Sequence, residues 1–308
     1  MTVFAVLILI ALIAIPLVIE KSRSVMTQDA RNTAPGEFAQ LSKGVTHYNW
    51  YGPARGPVVV CVHGLTTPSF VWRSMVRGVA VMGFRCLAYD LYGRGYSDKP
   101  KGKQDAEFFL NQLNELLSDQ GVSDDITIVG YSMGGAISTL FTAQNPSRVR
   151  QLILLAPAGM GIVAGRLGNF IVKTPVIGDW LMLAFYPGQL RKGIKAEADL
   201  PKSVEGMADL QENELRFRGY LPAVLASLRG VLWRALKEEH QIIQRAGIPV
   251  LAIWGREDTV IPIAAVGTLA EWSRNATQEI VDGAGHGLTY THTDAVLRLI
   301  HDNLPGAR

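Results

Sequence analysis

Ile126-Thr127-Ile128-Val129-Gly130-Tyr131-Ser132-Met133-Gly134-Gly135 is the stretch that decides how this chain is read. A β-favouring apolar run enters a glycine, passes a serine, and leaves through two more glycines. Ala136-Ile137-Ser138-Thr139-Leu140 follows and suits a helix. The pattern is G-x-S-x-G on a tight strand-to-helix turn. Small neighbours are needed there because the backbone is strained and closely packed, and Gly130 and Gly134 supply them. The helix N-terminus favours negative charge beside the serine. Ser132 is therefore the candidate nucleophile. The bland alternative is a glycine-rich turn with a solvent-exposed serine.

On either side of this turn, short β-rich runs alternate with helical stretches. Strands are predicted at 57–62 (PVVVCV), 84–89 (FRCLAY), 126–129 (ITIV), 149–155 (VRQLILL), 250–254 (VLAIW) and 278–281 (QEIV). Continuous apolar strands separated by helices indicate an α/β fold, with a mostly parallel sheet covered by helices on both faces. From 158 to 246 no convincing sheet strand appears. The pattern is helical and carries Phe170, Trp180, Met182, Phe185, Tyr186, Phe217 and Trp233. It is read as a helical cap inserted between two strands.

The chain has 308 residues and 48% apolar residues, enough for a sizeable core and not for a disordered or fibrous protein. A net charge of +3, without a long basic run, does not suggest a nucleic-acid partner. The two cysteines, Cys61 and Cys86, lie in strand-like runs and read as buried free thiols. No His/Cys cluster has metal-ligand spacing, and acyl transfer by a serine nucleophile requires neither a metal nor an organic cofactor.

Residues 3–19 (VFAVLILIALIAIPLVI) form an unbroken apolar run. Its length approaches what a bilayer core needs, and it has no polar face. The expectation is an N-terminal transmembrane helix over 1–21. No basic residue precedes the run, charged residues follow at once, and no clear cleavage site is present, which favours an anchor over a signal peptide. Lys21, Arg23 and Arg31 follow the span, so the positive-inside rule places the catalytic part on the cytoplasmic side. Cleavage as a signal peptide would instead give a secreted or periplasmic protein. The expected organisation is an anchor at 1–21, a tether at 22–44, a core at 45–157 and 247–308, and a cap at 158–246.

Four separated motifs then carry a resemblance. They are His63-Gly64-Leu65 after a strand, Asp90-Leu91-Tyr92-Gly93-Arg94-Gly95-Tyr96-Ser97-Asp98, the serine turn, and a late Asp and His pair. In this order they resemble the α/β-hydrolase superfamily over roughly 45–305. The resemblance implies an eight-stranded sheet and a Ser–Asp–His triad. Gly255-Arg256-Glu257-Asp258-Thr259-Val260-Ile261-Pro262 matches the family's G-x-x-D-x-x-x-P, so Asp258 maps to the acid, with Glu257 as rival. Gly283-Ala284-Gly285-His286-Gly287 lets a loop fold back over the serine, and His286 maps to the base. His292, His47, His240 and His301 are read as packing or surface residues, and His63 as architectural. The resemblance places the oxyanion-hole amides at Leu65 and Met133. Trp72 and Tyr131 are candidates to line the substrate pocket, or ordinary core.

The overall pattern is similar to esterase and monoacylglycerol-lipase-like branches. It implies a serine carboxylic-ester hydrolase acting on a small-molecule or lipid-like ester with a medium acyl chain. Carbon–carbon bond hydrolases that cleave ring-fission diketones resemble the sequence equally in their triad. Epoxide hydrolases and haloalkane dehalogenases use an aspartate nucleophile, which Ser132 argues against. A non-catalytic binding protein on the same scaffold is the alternative from a different class.

Overall fold

The computed structural model describes residues 2–161 and 165–304. Its strands are β1 (Glu37–Leu41), β2 (Gly44–Tyr51), β3 (Val58–Val62), β4 (Arg85–Tyr89), β5 (Ile126–Tyr131), β6 (Val149–Leu155), β7 (Val250–Gly255) and β8 (Thr277–Val281). They form one sheet in the order β1-β2-β4-β3-β5-β6-β7-β8. β1 and β2 are an antiparallel hairpin, and β2 runs antiparallel to β4. From β4 to β8 every pairing is parallel. All six predicted strands are present. The two unpredicted ones form the hairpin edge, where β1 buries only alternate residues and gives no continuous apolar signal. β1 also occupies residues expected in the tether.

Side chains along the parallel strands alternate between two cores, as the two-residue repeat of a strand requires. Val60, Val62, Ile126, Ile128, Leu152 and Leu154 face one core. It is covered by α4 (Ala106–Asp119), α5 (Met133–Gln144), α10 (Lys237–Arg245) and α11 (Ala265–Trp272). Val59, Cys61, Val129, Ile153 and Leu251 face the other. That side is covered by α3 (Met75–Val81), α12 (Leu288–Thr291) and α13 (Thr293–Asp302). α4 is positioned by an Asp105 cap, whose carboxylate accepts from Phe108 N at 3.1 Å. Both cysteines are buried and unbridged.

Between β6 and β7 the chain forms α6 (Arg166–Lys173), α7 (Ile177–Ala196), α8 (Met207–Glu214) and α9 (Tyr220–Arg229) before α10. Val172, Met182, Leu215, Tyr220, Leu221, Val224 and Leu225 make a separate apolar cluster, against which Leu65 packs. α10 lies within the range expected for the cap, yet its Ile243 joins the first sheet core. Phe170, Phe185 and Trp233 are exposed, so the cap's aromatics do not all face inward. Residues 162–164, within the expected cap, lie outside the described residues.

The transmembrane expectation is corrected here. Among the described residues, no helix is long and apolar enough to cross a membrane. Neither membrane anchoring nor the cytoplasmic-side assignment that depended on it is supported. The N-terminal run forms α1 (Thr2–Ser22), which contains Pro16 and lies along α7. Trp180 Nε1 donates to the Ile13 carbonyl at 2.9 Å, and Gly219 N donates to Glu20 Oε1 at 2.7 Å. Glu20 is buried in this contact, where burial, the largest effect, raises its carboxyl pKa. Apolarity summed along the run registered none of these polar ties, because their partners lie some 170–200 residues away. The short helix α2 (Gln28–Arg31) then leads into the sheet.

The first core should be the more sensitive to truncation near α4. Phe109 is fully buried there. Phe109→Ala is expected to destabilise the fold by about 3–5 kcal/mol, read as a lowered urea midpoint at unchanged m-value.

Candidate active site

β5 ends at Tyr131 and α5 begins at Met133, leaving Ser132 alone to turn the chain. Ser132 has φ 52° and ψ −117°, a conformation that costs a non-glycine residue about 1–3 kcal/mol. The surroundings impose it. Ser132 N donates to Leu155 O at 3.0 Å, while Gly135 N and Ala158 N donate to Ser132 O at 2.9 and 3.0 Å. A Cβ on Gly134 would collide with the Val62 carbonyl, and one on Gly130 with the Gly134 carbonyl. The two glycines of the motif are thus dictated by how closely α5 presses on β3 and β5.

His286 Nε2 lies 2.9 Å from Ser132 Oγ, and His286 Nδ1 lies 2.8 Å from Asp258 Oδ2. These partners assign the proton to Nδ1, so that Nε2 accepts from the serine hydroxyl. Asp258 Oδ1 accepts from Val260 N at 2.7 Å and Ile261 N at 2.8 Å. The carboxylate is therefore fixed on both oxygens, and only its inner edge faces the imidazole. Glu257 is exposed, and its backbone N–H donates to Ala284 O at 2.9 Å. That bond ties the acid loop to the histidine loop. Ser132 and Asp258 are only 9% and 6% exposed, so the group of three is largely shielded from bulk water.

Trp72 and Tyr131, expected as pocket residues, are 1% and 3% exposed and belong to the second sheet core. Their rings meet edge to face at 6.5 Å. Tyr131 Oη donates to the His286 carbonyl at 3.0 Å, and its ring lies 5.4 Å from the imidazole. It supports the histidine loop from below.

Of the two expected oxyanion donors, Met133 directly follows the serine, and Leu65 follows Gly64, which packs against it. Met133 is the first residue of α5, so its amide has no intrahelical acceptor. Gly64 passes directly over the nucleophile, since a Cβ there would lie 3.3 Å from Ser132 Cβ and from the Tyr131 ring. His63 Nε2 accepts from Leu91 N at 2.9 Å, and His63 Nδ1 donates to the Gly64 carbonyl at 2.8 Å. That carbonyl and the Leu65 N–H belong to one planar trans peptide and point in opposite directions. Holding the first aims the second. His63, expected to be architectural, fixes the direction of a proposed oxyanion donor.

The remaining histidines lie elsewhere. His47 pairs with Asp90 at 2.7 Å; burial opposes its charge, but the Asp90 carboxylate outweighs burial and raises its pKa. His240 is buried against Trp272, and burial lowers its pKa to about 4. His292 bonds Thr291, and His301 is exposed. Among the described residues, no three His, Cys, Asp or Glu side chains are grouped to hold a metal.

Comparison with known proteins agrees with this architecture. A family profile described as alpha/beta hydrolase fold matches residues 57–195. A 2-hydroxymuconate semialdehyde hydrolase of Pseudomonas putida is 28% identical over 245 residues, covering 72% of this chain and 78% of the relative. The crystal structure of an enol-lactonase from Burkholderia xenovorans superposes with a TM-score of 0.69 at 20% identity, over 86% of this chain and 98% of that one. An esterase from Exiguobacterium antarcticum gives 0.72 at 18% identity, over 87% and 98%. At these identities the two structures speak to the fold alone.

The His63 arrangement has a pH consequence. Burial lowers its pKa from 6.5 to about 4, so the folded protein keeps it neutral where the unfolded chain protonates it. Its contribution is fully present above pH 6.5 and is lost as pH falls toward 4, on the order of 3 kcal/mol in all. His240 acts in the same direction, whereas His47 and Glu214, whose pKa values are raised, act oppositely. The difference between wild type and His63→Asn cancels those shared contributions. Urea midpoints measured from pH 7 to 4.5 should show the wild type losing stability relative to the variant. A constant difference would contradict the buried neutral histidine.

Proposed function

We propose that this chain, a member of the α/β-hydrolase superfamily, is a serine hydrolase that cleaves carboxylic esters through an acyl-enzyme on Ser132. The observation that carries the proposal is the hydrogen-bonded relay from Ser132 Oγ through the His286 imidazole to Asp258. In this reading Ser132 Oγ attacks the ester carbonyl while His286 Nε2 takes its proton. The carbonyl oxygen becomes an oxyanion and accepts from the Met133 and Leu65 amides. His286 returns the proton to the leaving alcohol, and water releases the acid by the reverse sequence. Asp258 holds the imidazole in its productive tautomer and stabilises the cation that forms.

The apolar cluster of α6 to α9 above Leu65 supports an uncharged acyl group of medium length, on a small-molecule or lipid-like ester. The similarity to a 2-hydroxymuconate semialdehyde hydrolase favours a second reading, carbon–carbon bond cleavage by the same three residues. Such a substrate carries a carboxylate. Arg94, the guanidinium buried at the cap–core boundary, already directs its donors to protein acceptors. That supports the neutral ester over the anionic dienoate.

A series of p-nitrophenyl esters, run beside a 2-hydroxy-6-oxo-dienoate, tests both readings. Ester turnover with an optimum at medium chain length is expected, with Ser132→Ala lowering it by on the order of 10⁴-fold or more. Dienoate cleavage without ester cleavage would favour the second reading. Wild-type ester turnover by Ser132→Ala protein would remove Ser132 as nucleophile.

A further inference from the structure

Arg94 lies in the loop after β4 and is fully buried. A guanidinium has five N–H donors in a fixed plane, and here they meet five acceptors. Nε donates to the Leu65 carbonyl at 3.1 Å. Nη1 donates to Tyr92 O at 2.9 Å and Gln104 Oε1 at 2.6 Å. Nη2 donates to Ala223 O at 3.2 Å and Ser227 Oγ at 2.8 Å, both on α9. Ser227 Oγ donates in turn to Gln104 Oε1 at 2.6 Å. The loop that presents Arg94 is itself pinned. Gly93 has φ +88°, and a Cβ there would strike Ala223. The next residue, Gly95, donates its N–H to Glu214 on α8 at 3.0 Å.

Arg94 stays charged at neutral pH although its surroundings disfavour the charge. Burial, the largest effect, lowers its pKa to about 10, partly opposed by Tyr220, Glu214 and Tyr186. At neutral pH it remains a cation without a directly bonded carboxylate, held by carbonyls and polar side chains. Buried charge in such a setting is costly to leave unpaired, so loss of the two α9 acceptors would disfavour the guanidinium in this position.

We infer that Arg94 is a positioning residue that couples the seating of the cap helix α9 to the oxyanion hole. The inference rests on the reading of Ser132 as nucleophile and of the Leu65 amide as oxyanion donor. The Leu65 residue is clamped at both of its peptides. His63 fixes the Gly64–Leu65 peptide, which carries the proposed donor, and Arg94 fixes the Leu65–Thr66 peptide through its carbonyl. With α9 seated, the guanidinium is held in plane and Leu65 is locked. When α9 lifts, two of the five bonds go with it and the lock on Leu65 loosens. The hydrolytic site is then complete only beneath a closed cap.

A trifluoromethyl ketone with a medium alkyl chain reads the oxyanion hole directly. Ser132 Oγ adds to its carbonyl carbon, the serine proton passes to His286 Nε2, and the C=O π pair becomes the oxyanion electron pair. Arg94→Lys keeps the charge but cannot reach Leu65 and α9 together. Ser227→Ala removes one α9 acceptor and leaves the guanidinium in place. Each protein is titrated for active serines with a fluorophosphonate, so that losses of folded enzyme are corrected for.

Arg94→Lys is expected to lower kcat for a p-nitrophenyl ester by on the order of 10- to 100-fold, part of what losing a whole oxyanion donor costs. KM should stay within about threefold, and the ketone Ki should rise by the same factor as kcat falls. Ser227→Ala should move both quantities in parallel by several-fold, and it decides alone if Arg94→Lys does not fold. Wild-type kcat and Ki per titrated serine in the folded variants would overturn the inference. A wild-type protein that neither labels nor binds the ketone would instead overturn the serine-hydrolase reading, and this inference with it.

Discussion

The close approach of α5 to β3, at the turn where Ser132 leaves the sheet, constrains the rest of the site. It excludes side chains at Gly130 and Gly134 and forces Ser132 into a positive φ. It also brings the first turn of α5 against the Val62 and His63 carbonyls at the end of β3. The cost of that turn, about 1–3 kcal/mol, is offset by packing between fully buried strands. No local sequence preference would hold a serine in this conformation.

Sheet topology brings the other parts to it. β3, β5, β7 and β8 run parallel, so their C-terminal ends share one edge. Gly64-Leu65 follows β3, Ser132 follows β5, Asp258 follows β7 and His286 follows β8. Groups separated by up to 154 residues along the chain therefore meet within hydrogen-bond distance. The linking bonds between loops, Glu257 N to Ala284 O and Tyr131 Oη to His286 O, hold that meeting in register. The alpha/beta hydrolase fold profile that matches residues 57–195 agrees with this convergence.

Much of this was legible in the residues, for physical reasons. Fully buried parallel strands are continuous apolar runs, and tight turns need glycine, so six strands and the serine turn stood out. The β1–β2 hairpin was not legible, because edge strand β1 buries only alternate residues and the buried run of β2 is Thr46, His47 and Tyr48, not an apolar stretch. For Trp72 and Tyr131 the residues alone leave pocket lining and ordinary core both open, and the structure buries both side chains in the second core. Strand parity favours the core for Tyr131, which shares a face with Val129. Arg94 stood in a quoted motif without a role, because its decisive acceptors on α9 lie 129 and 133 residues further along. The docking of the N-terminal run on α7 and on Gly219 depends on distant partners, which apolarity summed along the run does not register.

The account stands on Ser132 being an activated nucleophile. Peptide mapping by mass spectrometry after brief exposure to a fluorophosphonate tests it most directly. A single adduct on the peptide containing Ser132, abolished when His286 is replaced by alanine, is the predicted result. An unmodified protein, or an adduct on any other serine, would contradict it.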